Sequence, residues 1–376
     1  MNCISVADNI IALSKGSYID CYINQNHNII KIQDSTGTDE TVCDLAISND
    51  NKYLAILTSS KKLIAHKLPF LECVKSFPLP RSASKIRFGV ENTHIFVADK
   101  TGDVLFYDLS NEDGGIKLLG HLSLLLNVLQ SPDGKYLITS DRDEKIRVSC
   151  YPNTYNIQTY CLGHKEFVNH IEFLPHNDKY LLSASGDGTI KCWDYAVGHS
   201  CCTIETRTDI SDQSIQEEFK KVMDEDGIEV NNLPIVHFST SKLNEATSLI
   251  AVSVYSCNIL LIYSLEIRDY TYNHNLVQRI SLEKYPSCIG FFETSLFVFD
   301  NCDNILTEYK VTNVSNIISV SKLQTKKMFM DHDNETVVKT DFEHIKVLFK
   351  RKFDNVQEYQ ERKKNRLINF EIHQVW

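Results

Sequence analysis

Two histidines in this chain, His121 and His164, lie 43 residues apart, and each is followed by a hydroxyl and an acid at offsets that agree to within one residue. The first set is His121, Thr139 and Asp143; the second is His164, Ser183 and Asp187. Histidine, aspartate and serine are the residue types of acid–base and nucleophilic catalysis. The surroundings do not support that chemistry. There is no Gly-x-Gly-x-x-Gly after a strand, no phosphate-binding loop and no metal-spaced Cys/His cluster. His332, between Asp331 and Asp333, reads as part of a polar loop, and the expected metal content is none.

The second set sits in a longer pattern. Gly163-His164 opens it, Asp187-Gly188 turns a strand, and Trp193-Asp194 closes the next strand. That register is similar to one blade of a WD-repeat β-propeller, and the 43-residue spacing is the expected blade period. In such a blade His164, Ser183, Asp187 and Trp193 form a buried hydrogen-bonded chain, each member satisfying the next. The blade before it offers His121, Thr139 and Asp143, but Ser149 stands where the tryptophan would be. Its network is expected to be incomplete.

Composition agrees with a soluble globular chain: 376 residues, 43% hydrophobic and 23% charged. The net charge of −10 argues against non-specific nucleic-acid binding, so any RNA contact must be local. Twelve scattered cysteines form no Cys-x-x-Cys, and neighbouring Cys201 and Cys202 are too close for an unstrained bridge. With Asp8, Lys15 and Asp20 interrupting any signal-peptide core, reduced thiols in a reducing compartment are expected. The sequons at Asn313 and Asn334 then have no glycosylating compartment. Leu249 to Leu265 is uncharged, but Ser256-Cys257-Asn258 predicts a hairpin there rather than a membrane helix.

Strand-and-turn patterns recur from residue 4 to about Val320, giving an all-β fold of seven blades over residues 1–325. The first three and last two blades are degenerate. An acidic insertion at 205–233 interrupts the ring, and Ser214 with Glu217 suggests a capping box ahead of Ile215, Phe219 and Val222 on one helix face. The tail, 326–376, is expected to pass a strand at Ile345 to Phe349. It then enters a basic helix capped by Asp354, with Phe353, Val356 and Tyr359 as its apolar stripe.

Two runs narrow the reading. One is Gly120-His121-Leu122-Ser123-Leu124-Leu125, Asp141-Arg142-Asp143-Glu144-Lys145-Ile146-Arg147-Val148-Ser149 and Leu162-Gly163-His164-Lys165-Glu166-Phe167-Val168. The other is Lys350-Arg351-Lys352-Phe353-Asp354-Asn355-Val356 with Tyr359 and Arg362-Lys363-Lys364. Together they resemble the non-catalytic WD-repeat subunit of the tRNA (guanine-N7-)-methyltransferase, the wuho family. The resemblance implies a heterodimer in which a separate Rossmann-type subunit binds S-adenosylmethionine and methylates tRNA at a variable-loop guanosine. This chain would hold no cofactor; it would stabilise its partner and help position the tRNA.

By the same resemblance, the partner-binding residues are Arg142, Asp143, Lys165, Glu166 and His170. Asp143 has a competing expected role as its blade's network acid, and Arg142 and Lys165 could be solvated. Arg362, Lys363, Lys364 and Arg366 are the expected tRNA contacts, though the same charges also suit nuclear import. The expected location is the nucleus, with the cytoplasm second. A rival reading is a scaffold or a substrate receptor of a cullin-type ubiquitin ligase, but Trp193-Asp194 is followed by Tyr195-Ala196 without that class's arginine.

Overall fold

The computed structural model describes residues 2–33, 37–111, 114–210, 212–269, 271–315, 317–330 and 341–350. Seven four-stranded antiparallel sheets follow one another along the chain, at 4–31, 42–78, 83–120, 125–161, 168–205, 235–281 and 288–327. Each sheet uses four consecutive strands, as the alternation of apolar runs and tight turns predicted. The fold is a seven-bladed β-propeller. The expected hairpin at Ser256-Cys257-Asn258 joins Thr247–Val254 to Ile259–Arg268, with Ser256 in the left-handed region at φ 58°. Among the described residues no helix is long and apolar enough to cross a membrane.

Burial on both faces of the middle strands explains why these sheets stack. The second strand of blade 5, Tyr180–Ser185, is buried at every position, because both of its faces meet neighbouring blades. The fourth strand, His199–Glu205, lies at the rim and is mostly uncovered. Side-chain hydrogen bonds sew the inner strands of successive blades together around the centre. Lys85 Nζ reaches Asp44 Oδ1 at 2.6 Å, and Asn127 Nδ2 donates to the Asn169 carbonyl. Asn169 Nδ2 donates in turn to the Ile235 carbonyl at 2.8 Å, and the amide of Phe291 donates to Ser239 Oγ at 2.9 Å.

The ring closes without strand exchange. Blade 7 is complete in itself, and its inner strand Cys288–Phe292 packs on Ile4–Ala7 of blade 1. Gly290 permits that approach: a Cβ there would stand 3.2 Å from Val6 and 3.3 Å from Ile4. Lys15 Nζ donates to Asn304 Oδ1 at 2.7 Å, and the Phe329 amide to Asp20 Oδ2 at 2.7 Å. Leu13, Phe299, Met328 and Phe329 fill the space beneath.

Two local expectations are corrected. The insertion does form a helix, α1 (Gln213–Glu225), but its N-cap is Asp212, whose side chain accepts from the Ser214 amide. Ser214 sits inside the first turn and donates its own hydroxyl to Asp212. The tail segment at Ile345 to Phe349 is not a strand. A short helix, α2 (Asp341–Lys346), is followed by a turn. Helical and turn hydrogen bonds satisfy the backbone locally, while Ile345 and Phe349 still become buried. The expected basic helix beyond residue 350 lies outside the described residues.

Candidate functional site

The blade-5 network forms as expected. Trp193 Nε1 donates to Ser183 Oγ at 2.8 Å, and the serine hydroxyl donates to His164 Nε2 at 2.7 Å. His164 Nδ1 meets Asp187 Oδ2 at 3.0 Å, and Asp187 also accepts from the Lys165 and Thr189 amides. Burial pushes the Asp187 carboxyl up, but these bonds, that of His164 foremost, outweigh it and hold the carboxyl down at about 2. Every polar group is spent on the others, so the chain of residues is structural rather than catalytic.

Blade 4 departs from expectation. His121 Nε2 pairs with Thr139 Oγ1 at 2.8 Å, but its acid is Asp141, at 2.9 Å, and not Asp143. The turns match: Glu144 at φ 68° stands where Gly188 stands at φ 75°. Asp141, at the position of Ser185, is long enough to reach the histidine and also accepts the Lys145 amide. Asp143 is thereby released to the surface. The missing tryptophan is replaced by Arg147, buried and donating to Ser149 Oγ, the Gly120 carbonyl and the Thr154 carbonyl.

The released acid points to a site. Lys350, on the tail, meets Glu144 Oε1 at 2.7 Å and Asp143 Oδ1 at 3.5 Å. The residue before it, Phe349, is buried edge-on to Phe167, with ring centroids 5.0 Å apart, and also touches Phe219 of α1. Gly186 makes the Phe167 position possible, since a Cβ there would fall 2.4 Å from that ring. Lys346 pairs with Asp226 just beyond α1. The insertion and the tail therefore clamp each other above blade 5, at the end of the propeller that carries the Asp143 and Asp187 turns.

Four of the five expected partner-binding residues fall on this face. Lys165 is exposed, and Arg142 is half-buried with Nε lacking a hydrogen-bond partner. Asp143 pairs with Lys350. Glu166 is half-buried, and burial with the charges of Glu144 and Asp187 raises its carboxyl to about 7, opposed by Lys350. Exposed Leu122 and Leu162 stand on the two loops that enter blades 4 and 5. His170 is elsewhere: it lies on the inner strand Val168–Phe173, its Nε2 donating to the Val236 carbonyl at 2.7 Å. Burial, together with Lys85, His237 and Arg87, lowers it to about 3 and keeps it neutral. Arg362, Lys363, Lys364 and Arg366 lie outside the described residues.

Sequence reasoning did not find Lys350 as a partner of the blade-4 turn, nor Phe349 as the tail's anchor. The doubled acids Asp141 and Asp143 in one turn were the available signal, because one histidine needs only one of them.

A propeller whose blade-4 and blade-5 histidines are each spent on an acid and a hydroxyl of their own blade is a WD-repeat protein. Its relatives are specific. The family described as tRNA methyltransferase TRM82 WD40 domain matches residues 114–287. The tRNA (guanine-N(7)-)-methyltransferase non-catalytic subunit wuho of Aedes aegypti is 30% identical over 364 residues, covering 89% of this chain and 80% of that one. The corresponding WDR4 subunit of Mus musculus is 39% identical over 172 residues, 45% of this chain and 41% of its own. The chain belongs to this family of non-catalytic subunits. A solved chain of the mitotic checkpoint complex superposes with a TM-score of 0.62 at 11% identity, over 86% of this chain and 90% of that one, and shows the fold alone.

Proposed function

We propose that this chain is the non-catalytic subunit of a tRNA (guanine-N7-)-methyltransferase heterodimer, and that the blade 4–5 face holds the catalytic subunit. The observation that carries the reading is Glu166. A carboxyl half-buried beside Glu144 and Asp187, with Lys350 as its counter-charge, is short of positive charge. An incoming lysine or arginine would relieve it, and Leu122 and Leu162 supply apolar surface around it. The catalytic subunit binds S-adenosylmethionine and transfers the methyl group; this chain stabilises it. The tail, seated by Phe349 and Lys350, delivers Arg362, Lys363, Lys364 and Arg366 to tRNA phosphates. The complex works in the nucleus, with a cytoplasmic share.

The test is co-expression with the catalytic subunit of the same organism. Wild type is expected to co-purify as a one-to-one pair and to support 7-methylguanosine formation, while the purified chain alone forms none. Charge reversal at Lys165 and Glu166 together is expected to weaken the pair at least tenfold, about 1.4 kcal/mol or more. Unchanged affinity of that double variant would remove this face as the interface.

A further inference from the structure

Three thiols converge on one hairpin of blade 5. The third strand, Thr189–Asp194, pairs with the fourth, His199–Glu205, in a register that sets Cys192 opposite Cys202. The ladder then slips: Trp193 pairs with Ser200, leaving Cys201 as the extra residue of a bulge. Successive strand residues ordinarily point to opposite faces, and a bulge relaxes that alternation. As a result the Cys192 thiol is within hydrogen-bonding reach of both Cys201 and Cys202. All three pack in the core shared by blades 5 and 6, Cys192 fully buried and the other two half-buried. Across the seam, Tyr272 of blade 6 hydrogen-bonds Cys201 and reaches the Tyr180 hydroxyl at 3.2 Å.

We propose that this cluster is a reversible thiol-oxidation site, in which Cys201 takes the oxidant and Cys192 closes a disulfide across the hairpin. The geometry selects each role. Cys201 is the less buried of the two half-buried thiols, and the Cys192 thiol beside it lowers its pKa, favouring the thiolate. Cys202 cannot resolve Cys201, because adjacent residues close only a strained ring. Cys192 can, because in the bulge two successive residues, Cys201 and Cys202, oppose the one residue Cys192 across the hairpin. With hydrogen peroxide as oxidant, the Cys201 thiolate attacks one peroxide oxygen. The S–O bond forms, the O–O bond breaks and hydroxide leaves. Cys192 then attacks the sulfenic sulfur, the S–S bond forms, the S–O bond breaks, and the hydroxyl departs as water with the Cys192 proton. Two thiols and one peroxide give one disulfide and two waters. In a reducing compartment such a bond is transient, and a cellular thiol reverses it.

The experiment is peroxide titration of the full reduced chain, followed by alkylation and peptide mapping. Exposure alone would favour Cys73 and Cys302, the two exposed cysteines. The expected result is that the Cys192–Cys201 bond accumulates first. C201S is expected to slow loss of the Cys192 thiol about tenfold, and C192S to leave Cys201 as a dimedone-reactive sulfenic acid. Oxidation of Cys73 and Cys302 ahead of the cluster would overturn the proposal, as would a Cys192–Cys202 bond forming at the wild-type rate in C201S. Should C192S not fold, the C201S kinetics and the wild-type map decide alone.

Discussion

Blades 4 and 5 are neighbours with the same turn geometry and opposite solutions to the same problem. Each must hold the histidine of the loop that enters it over a buried hydroxyl. Blade 5 does so with a neutral indole donor and an acid at the far side of the turn. Blade 4 draws its acid two residues earlier and fills the indole's space with a guanidinium. The difference frees Asp143 and turns the blade-4 loop into a surface group that the tail can hold. A defect in the repeat is what places a free acid beside the tail lysine.

The comparison can be broken hardest at its core. Trp193→Ala is expected to cost about 3–5 kcal/mol, because it leaves a large cavity and removes the donor to Ser183. Arg147→Ala should cost about 2–3 kcal/mol, having three hydrogen bonds but less packed surface. Ser149→Ala, at the position matching the tryptophan, should cost less than either. Urea unfolding midpoints rank them; equal losses at Trp193 and Ser149 would show that the arginine does not replace the indole.

A smaller effect follows from Asp187. Its carboxyl lies at about 2 in the folded chain against an ordinary 3.8, so the unfolded chain binds the proton first as pH falls. That stability is present above about pH 4 and is lost as pH drops toward 2, amounting to about 2 kcal/mol. Asp187→Asn is expected to flatten this limb of an acid-unfolding curve, and an unchanged limb would count against the network.

The smallest effect sharpens the surface contrast. Glu166 is raised to about 7, so the folded chain binds its proton between about pH 4.5 and 7 while the unfolded chain does not. Stability then falls as pH rises through that window. Glu166→Gln is expected to gain about 1 kcal/mol at pH 8, discounted for solvent screening, and nothing at pH 4. Asp143→Asn in blade 4, whose acid already has Lys350, should show no such gain. Thermal melts at the two pH values separate them.

How legible this was depended on the range of the signal. Gly163, His164, Asp187 and Trp193 revealed blade 5 because one blade is a local unit with fixed offsets. Even degenerate blades showed their hairpins, since short apolar runs broken by tight turns need no special residue. Asp141 was missed because offset alone selects Asp143, and only side-chain reach decides between them. Ile345 to Phe349 looked like a strand by its apolar content, which reports burial and not backbone partner. The meeting of Lys350 with Glu144, and of Phe349 with Phe219, joins segments far apart in the chain, and no periodicity encodes that.

The closure between blades 7 and 1 has a consequence for biosynthesis. Because no strand is borrowed from the opposite terminus, each sheet can finish as soon as its own stretch leaves the ribosome, with mostly short-range pairing to search. What remains for the end is a latch: Asn304 meeting Lys15 and the Phe329 amide meeting Asp20. A nascent chain halted before residue 304 would hold six assembled sheets with the seventh unfinished, an open arc awaiting its last contact.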